Sequence, residues 1–196
     1  GVLPKDPSPL RLGRGAQTEV EERLRAARTN VLHALSHGAR QVVVVTSAGP
    51  REGASTTAAG LARVLALSGH RVVLVGGDLR SPSAGGAPGA PGLAEVLVGT
   101  ARLSQVLVEG EVPGLELLPA GDMPGNPSEL LGGRNMSDLL HHLAADRIVI
   151  IDAPPVCRFT DAVVLAEYAG GVLLVARAGR TSAEELREAA LAVGQG

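Results

Sequence analysis

The ten residues 47–56 read SAGPREGAST, and they follow a run of four valines and precede a segment with helical apolar spacing. A strand that runs through a glycine-containing loop into a helix can cradle phosphate, because successive backbone N–H groups converge at the positive end of the helix. The residues placed to line such a cradle are Gly49, Pro50, Arg51, Glu52, Gly53, Ala54, Ser55 and Thr56. In a working loop the residue after the second glycine is a lysine that reaches the β- and γ-phosphate oxygens, and the next hydroxyl holds Mg²⁺. Here Ser55 and Thr56 keep the hydroxyls, Ala54 stands in the lysine position, and Arg51 stands where a glycine is usual. A charge-assisted hydrogen bond is worth about 1.5–3 kcal/mol in binding. Losing one preorganised donor to developing charge commonly slows chemistry ~100-fold or more. Ala54 is therefore expected to harm turnover more than binding. The residues alone also fit a plain turn that joins strand to helix.

The elements that must hold this loop are legible in the apolar pattern. Short apolar runs at 41–46, 71–75, 147–151 and 171–176 have the length of buried parallel strands. Segments of helical spacing lie at 18–36, 54–68, 136–145, 161–169 and 182–193. The alternation predicts an α/β fold with a doubly wound, mostly parallel sheet, and ligand chemistry at the carboxyl ends of its strands. Residues 1–15 are rich in Pro, Gly and basic residues and read as a linker or arm, leaving 16–196 as one domain; residues 84–92 read as a loop inside it. The chain opens on Gly1 rather than Met, as expected of a part cut from a longer protein.

Composition excludes several classes of function. The 196 residues are 45% apolar, which rules out a disordered chain, and the net charge of −2 argues against a nucleic-acid partner. No apolar run approaches the ~20 residues of a membrane helix, so direct membrane insertion is not expected. Cys157 is the single cysteine, has no CxxC partner and cannot form an internal disulfide, which suits a reducing cytoplasm. His141 and His142 are adjacent on a helical segment and face different directions, so they do not form a metal pair; both they and Cys157 are expected to be structural.

The second strand ends in VLVGGDLRSP, and the third apolar run opens RIVIIDAPP. Between them lies PGLELLPAGDMPGNPSELLG, in which Ser128 after Pro127 reads as a helix N-cap. With these stretches the chain resembles, over about residues 19–191, the cytoplasmic domain of bacterial tyrosine kinases (BY-kinases), which act with membrane polysaccharide co-polymerases in capsule and exopolysaccharide export. The resemblance implies a P-loop NTPase fold with Walker A, A′ and B motifs. The family text at the second strand reads like DADLRRP; Asp78, Arg80 and Pro82 match it, and Gly76 replaces its first acid. In the family that acid lies beside the metal and the incoming tyrosine hydroxyl. Asp152 matches the Walker B carboxylate. The resemblance thus makes Asp78 and Asp152 the catalytic remnants, and Ser55, Asp78 and Asp152 the Mg²⁺ set. Read without it, both carboxylates equally well cap the loops after their strands. It also makes Glu22, Arg25 and Arg28 on the first helix a subunit interface, where spacing alone gives a solvated face with one weak ion pair. The family's tyrosine-rich tail is missing, since Tyr168 is the only tyrosine.

Arg51, Ala54 and Gly76 all depart from the family at nucleotide-facing places while the scaffold text survives. The expectation is a pseudokinase that regulates or scaffolds polysaccharide export, with ATP, ADP and Mg²⁺ bound weakly or not at all. Its partners would be other copies, a BY-kinase homologue or a transmembrane co-polymerase. Its place would be the cytoplasmic face of the membrane, held through a partner or a missing transmembrane segment. The alternative is a divergent tyrosine kinase of the same pathway. A ParA/MinD-like ATPase switch is more distant, because Gly49 stands where that group carries its signature lysine. Arg51 is expected to close the empty site by pairing with Asp78 or Asp152 through its fork of donors. On that expectation Arg51→Gly would destabilise the fold slightly or open the site to Mg²⁺.

Overall fold

The computed structural model describes residues 14–37, 40–81 and 89–194, with the backbone alone for 14–21 and 37. The chain forms β1 (Val42–Ser47), α2 (Ala54–Leu67), β2 (Val72–Gly76), β5 (Ile148–Asp152) and β6 (Gly171–Val175) after a first helix, α1 (Arg14–His37). Between β2 and β5 lie α3 (Leu93–Val98), α4 (Leu103–Val106), β3 (Val108–Glu109), β4 (Leu115–Leu118), α5 (Pro127–Leu131) and α6 (Arg134–Ala144). α7 (Asp161–Ala166) precedes β6, and α8 (Ala183–Val193) follows it. The sheet order is β3-β4-β2-β5-β1-β6, parallel except for the β3–β4 pair.

The valine run works because β1 is buried on both faces. Successive side chains of a strand point to opposite sides, so Val42 and Val44 join the core that contains Leu97, Met136, Leu140 and Leu165. Val43 and Val45 join the opposite core, built by α1 and α2 through Leu24, Val31, Leu35, Leu61 and Leu65. α1 lies close against α2 at Gly60, where an added Cβ would stand 2.6 Å from Leu24 Cδ1. A larger residue at position 60 would force the Leu24 side chain to shift.

The four strands expected from the apolar runs are β1, β2, β5 and β6, each within one or two residues. β3 and β4 are not apparent in the sequence, since an edge ribbon half open to water needs no unbroken apolar run. The short helices α3, α4 and α5 are likewise below the length at which helical spacing declares itself. Ser128 is not an N-cap: Asn126 holds that position, Pro127 is the first helical residue, and the Ser128 hydroxyl is used elsewhere. The first thirteen residues of the expected arm, and most of the 84–92 loop, lie outside the described residues. His141 and His142 are exposed, and Cys157 is a free, exposed thiol rather than a packed one.

Candidate functional site: a P-loop without its lysine

β1 delivers Ser47 to the sheet's carboxyl edge, and the chain turns through 48–53 into α2. Gly53, the N-cap of α2, has φ 104°, a left-handed conformation that glycine adopts without strain. Arg51 has φ 60° and is the one non-glycine residue with positive φ among the described residues. An L side chain held there costs about 1–2 kcal/mol. The loop is held by its neighbour across the sheet, the segment between β6 and α8. Arg177 Nη1 donates to the Arg51 carbonyl at 3.2 Å, and Thr181 Oγ1 donates to Glu52 Oε1 at 2.7 Å. Glu52 is buried, and its other oxygen accepts from the Gly49 N–H at 3.0 Å. The Glu52 carboxylate therefore closes the loop on itself. Ser55 and Thr56 stand exposed at the start of α2, while Ala54 is buried.

The side chain of Arg51 is exposed and forms an ion pair with neither Asp78 nor Asp152. The expected closure is overturned, because the loop presents this side chain outward and spends only its carbonyl on an anchor. The expected cost of Arg51→Gly reverses with it. Relief of the left-handed backbone outweighs the extra chain entropy of glycine, so Arg51→Gly should stabilise the domain by up to about 1 kcal/mol. Urea unfolding checks this, and a midpoint clearly below that of the parent chain would refute it.

Asp78, half-buried two residues beyond β2, caps its own turn. Its Oδ1 accepts from the N–H groups of Arg80 at 3.1 Å and Ser81 at 3.0 Å. Burial raises its pKa, and the two backbone N–H groups partly oppose that rise. Asp152 is the last residue of β5 and is buried. The sheet register sets it opposite Val45 on one side and opposite Gly76 on the other. Gly76, where the resemblance expects the first acid, is thus the direct backbone neighbour of Asp152 across the sheet, one strand spacing of about 4.8 Å away. Glu22, Arg25 and Arg28 lie on α1, with Arg25 Nη1 3.1 Å from Glu22 Oε2 and both side chains exposed.

A cluster that sequence reasoning missed sits beside Asp78. Asp161, the first residue of α7, is fully buried and takes the guanidinium of Arg80 in a fork, with Nε at 2.7 Å from Oδ2 and Nη2 at 3.2 Å from Oδ1. The Ser128 hydroxyl donates to the same Asp161 carboxylate, lies 3.2 Å from Thr160 Oγ1, and accepts from Arg80 Nη2 at 3.3 Å. The Arg80 guanidinium lies 4.5 Å from the centre of the Phe159 ring. Bonding to Asp161 raises the Arg80 pKa further. The segments DLR, NPSELL and TDA thus meet in space as one brace joining three separate parts of the chain. In the sequence, Asp161 signals nothing beyond an acid at a helix start.

A strand, a phosphate-type loop and a helix at the middle of a parallel sheet, with a carboxylate closing the neighbouring strand, define a P-loop NTPase fold. No family model matches the chain. It is 37% identical over 172 residues to the tyrosine-protein kinase YwqD of Bacillus subtilis, covering 86% of this chain and 73% of that protein. It is 36% identical over 169 residues to the tyrosine-protein kinase ptk of Acinetobacter johnsonii, covering 84% of this chain and 23% of that protein. The kinase domain of the Escherichia coli tyrosine kinase ETK matches the fold with a TM-score of 0.83 at 31% identity, over 90% of this chain and 71% of that domain. The chain belongs to the bacterial tyrosine-kinase family, and it spans less than a quarter of the length of its longer relatives such as ptk.

Proposed function

We propose that this domain is a pseudokinase: a BY-kinase module that has lost phosphoryl transfer and serves exopolysaccharide or capsule synthesis and export through its contacts. The observation that carries this reading is the register of Gly76 opposite Asp152. The carboxylate that would accept a tyrosine proton beside the metal is absent at that place, and Ala54 leaves the phosphates without an ammonium. Mg²⁺ would have Ser55, Asp78 and Asp152 as its protein-side set. One Asp78 oxygen is already spent on two backbone N–H groups, and Gly76 offers nothing. That set lacks the base that transfer to a tyrosine needs, and no transfer step is assigned to it.

The test is transfer of labelled phosphate from ATP to a tyrosine peptide, with and without Mg²⁺. No transfer above background is expected, nor any Mg²⁺-dependent gain in ATP affinity, and Ala54→Lys alone should restore neither. Transfer by the parent chain would establish the second reading, an active tyrosine kinase, which the names of its relatives and the retained Ser55 and Asp152 favour.

The contacts themselves are assigned to α1. Glu22, Arg25 and Arg28 would meet a complementary site on another copy, a kinase homologue or the cytoplasmic end of a transmembrane co-polymerase, in a head-to-tail contact. Among the described residues no helix is long and apolar enough to cross a membrane. Attachment to the inner face of the membrane would therefore come through such a partner or a segment outside the described residues. Arg25→Glu with Arg28→Glu should abolish association in sedimentation, and added salt should weaken it. Identical monomers for both proteins at every concentration, with no binding to a co-polymerase tail, would defeat this part of the reading.

A further inference from the structure

The loop between β1 and α2 is tied to α8 through one buried carboxylate. β1 and β6 run side by side with Ser47 opposite Val175, so the segments that leave them start one strand spacing of about 4.8 Å apart. Glu52 is 9% exposed, and its two oxygens take donors from both segments: the Gly49 N–H of its own loop at 3.0 Å and the Thr181 hydroxyl at 2.7 Å. The Thr181 hydroxyl in turn accepts from the Arg177 N–H at 2.9 Å, and the Thr181 N–H donates to the Arg177 carbonyl at 2.9 Å, so one closed turn fixes that side chain. Only Ser182, the N-cap, stands between Thr181 and the first residue of α8. No slack separates the helix from the loop's anchor. α8 itself is loosely seated: of its 11 residues only Ala189 is buried, and Leu186 and Leu191 are 37% and 65% exposed.

We infer that Glu52 and Thr181 form a latch through which α8 sets the conformation of the loop: helix and loop open together as one local unit while the sheet stays folded. Two opposing features poise it. The closed state gives a buried carboxylate two donors, and leaving either unmade costs the desolvation of a charged group. It also holds Arg51 at φ 60°, with Arg177 Nη1 on the Arg51 carbonyl, and that left-handed backbone relaxes when the latch opens. A helix that buries one alanine adds little to the closed state, and weakly packed elements of this kind open below the free energy of global unfolding. A displacement of α8 is therefore transmitted to a loop more than a hundred positions earlier in the chain. The latch needs neither a bound ligand nor phosphoryl transfer, so it stands or falls separately from the pseudokinase proposal.

Amide hydrogen exchange of the 196-residue chain, followed residue by residue by NMR, tests it. The Gly49 N–H reports the latch, and the Val44 N–H, in a strand paired on both sides, reports unfolding of the whole domain. Thr181→Val keeps the side-chain shape and removes the hydroxyl, and should speed Gly49 exchange relative to Val44 about tenfold or more. Thr181→Ser keeps the hydroxyl and should change it less than about threefold. Ala189→Gly weakens α8 at its one buried position, about 9 Å along the helix from Ala183, and should speed Gly49 relative to Val44 about fivefold. Added to Thr181→Val, it should bring no further gain, because the tie is already cut. Gly49 unmoved by Thr181→Val, an effect of Thr181→Ser as large as that of Thr181→Val, or equal acceleration of Gly49 and Val44 would each overturn the latch. Gly49 unmoved by Ala189→Gly would overturn it as well, leaving Thr181 an anchor of the loop with no link to α8.

Discussion

The double variant Ala54→Lys, Gly76→Asp should transfer phosphate to a tyrosine peptide at least about a hundredfold faster than either single variant. The two groups serve different needs of one transition state. An ammonium at position 54 would meet the charge that builds on the transferring phosphoryl, and α2 begins at that residue, so a lysine stem there starts from the helix end that faces the loop. A carboxylate at position 76 would stand opposite Asp152 and accept the hydroxyl proton. With only one present, the other demand still raises the barrier, and effects of groups that act as a unit are strongly non-additive. Single-turnover measurements with labelled ATP and Mg²⁺ decide the matter. Recovery in Ala54→Lys alone would show that no base at position 76 is needed, and failure of the double variant would place the cause of inactivity elsewhere.

Asp161→Ala should cost about 3 kcal/mol of stability, at the lower end of the range for breaking a buried ion pair. The carboxylate is wholly buried, while Arg80 keeps 30% of its side chain exposed and can regain water once its partner is gone. The same change strands the Ser128 hydroxyl and removes the acid from the first turn of α7. Since Arg80, Ser128 and Asp161 sit on three separate segments, the loss should appear as a lower urea midpoint for the whole domain rather than as local fraying. Arg80→Leu added to Asp161→Ala should cost little more, because the cation has already lost its partner. A loss under about 1 kcal/mol, or full additivity of the two changes, would show that the brace is not a unit.

The sequence by itself determined the fold class and the positions at which the residue types depart from the phosphate-loop and second-strand motifs. β1, β2, β5 and β6 are legible because a parallel strand buried on both faces must be apolar at nearly every position, and few other elements of that length are. Ala54, Arg51 and Gly76 are legible because the phosphate loop and the motif at the second strand require particular residue types at particular spacings, so a departure shows as a letter. What only tertiary structure decided is where side chains spend their bonding capacity. Arg51 looked free to reach two carboxylates, but its loop carries the side chain outward and gives its carbonyl to Arg177. Ser128 had the letters of a cap, yet the chain starts that helix at Pro127 and turns the hydroxyl to Asp161. The brace joins residues up to 81 positions apart, Arg80 and Asp161, and the loop anchor joins residues 126 apart, Arg51 and Arg177. Local spacing records the period of a strand or helix and the length of a loop. It holds no record of which loops the sheet order brings to the same edge.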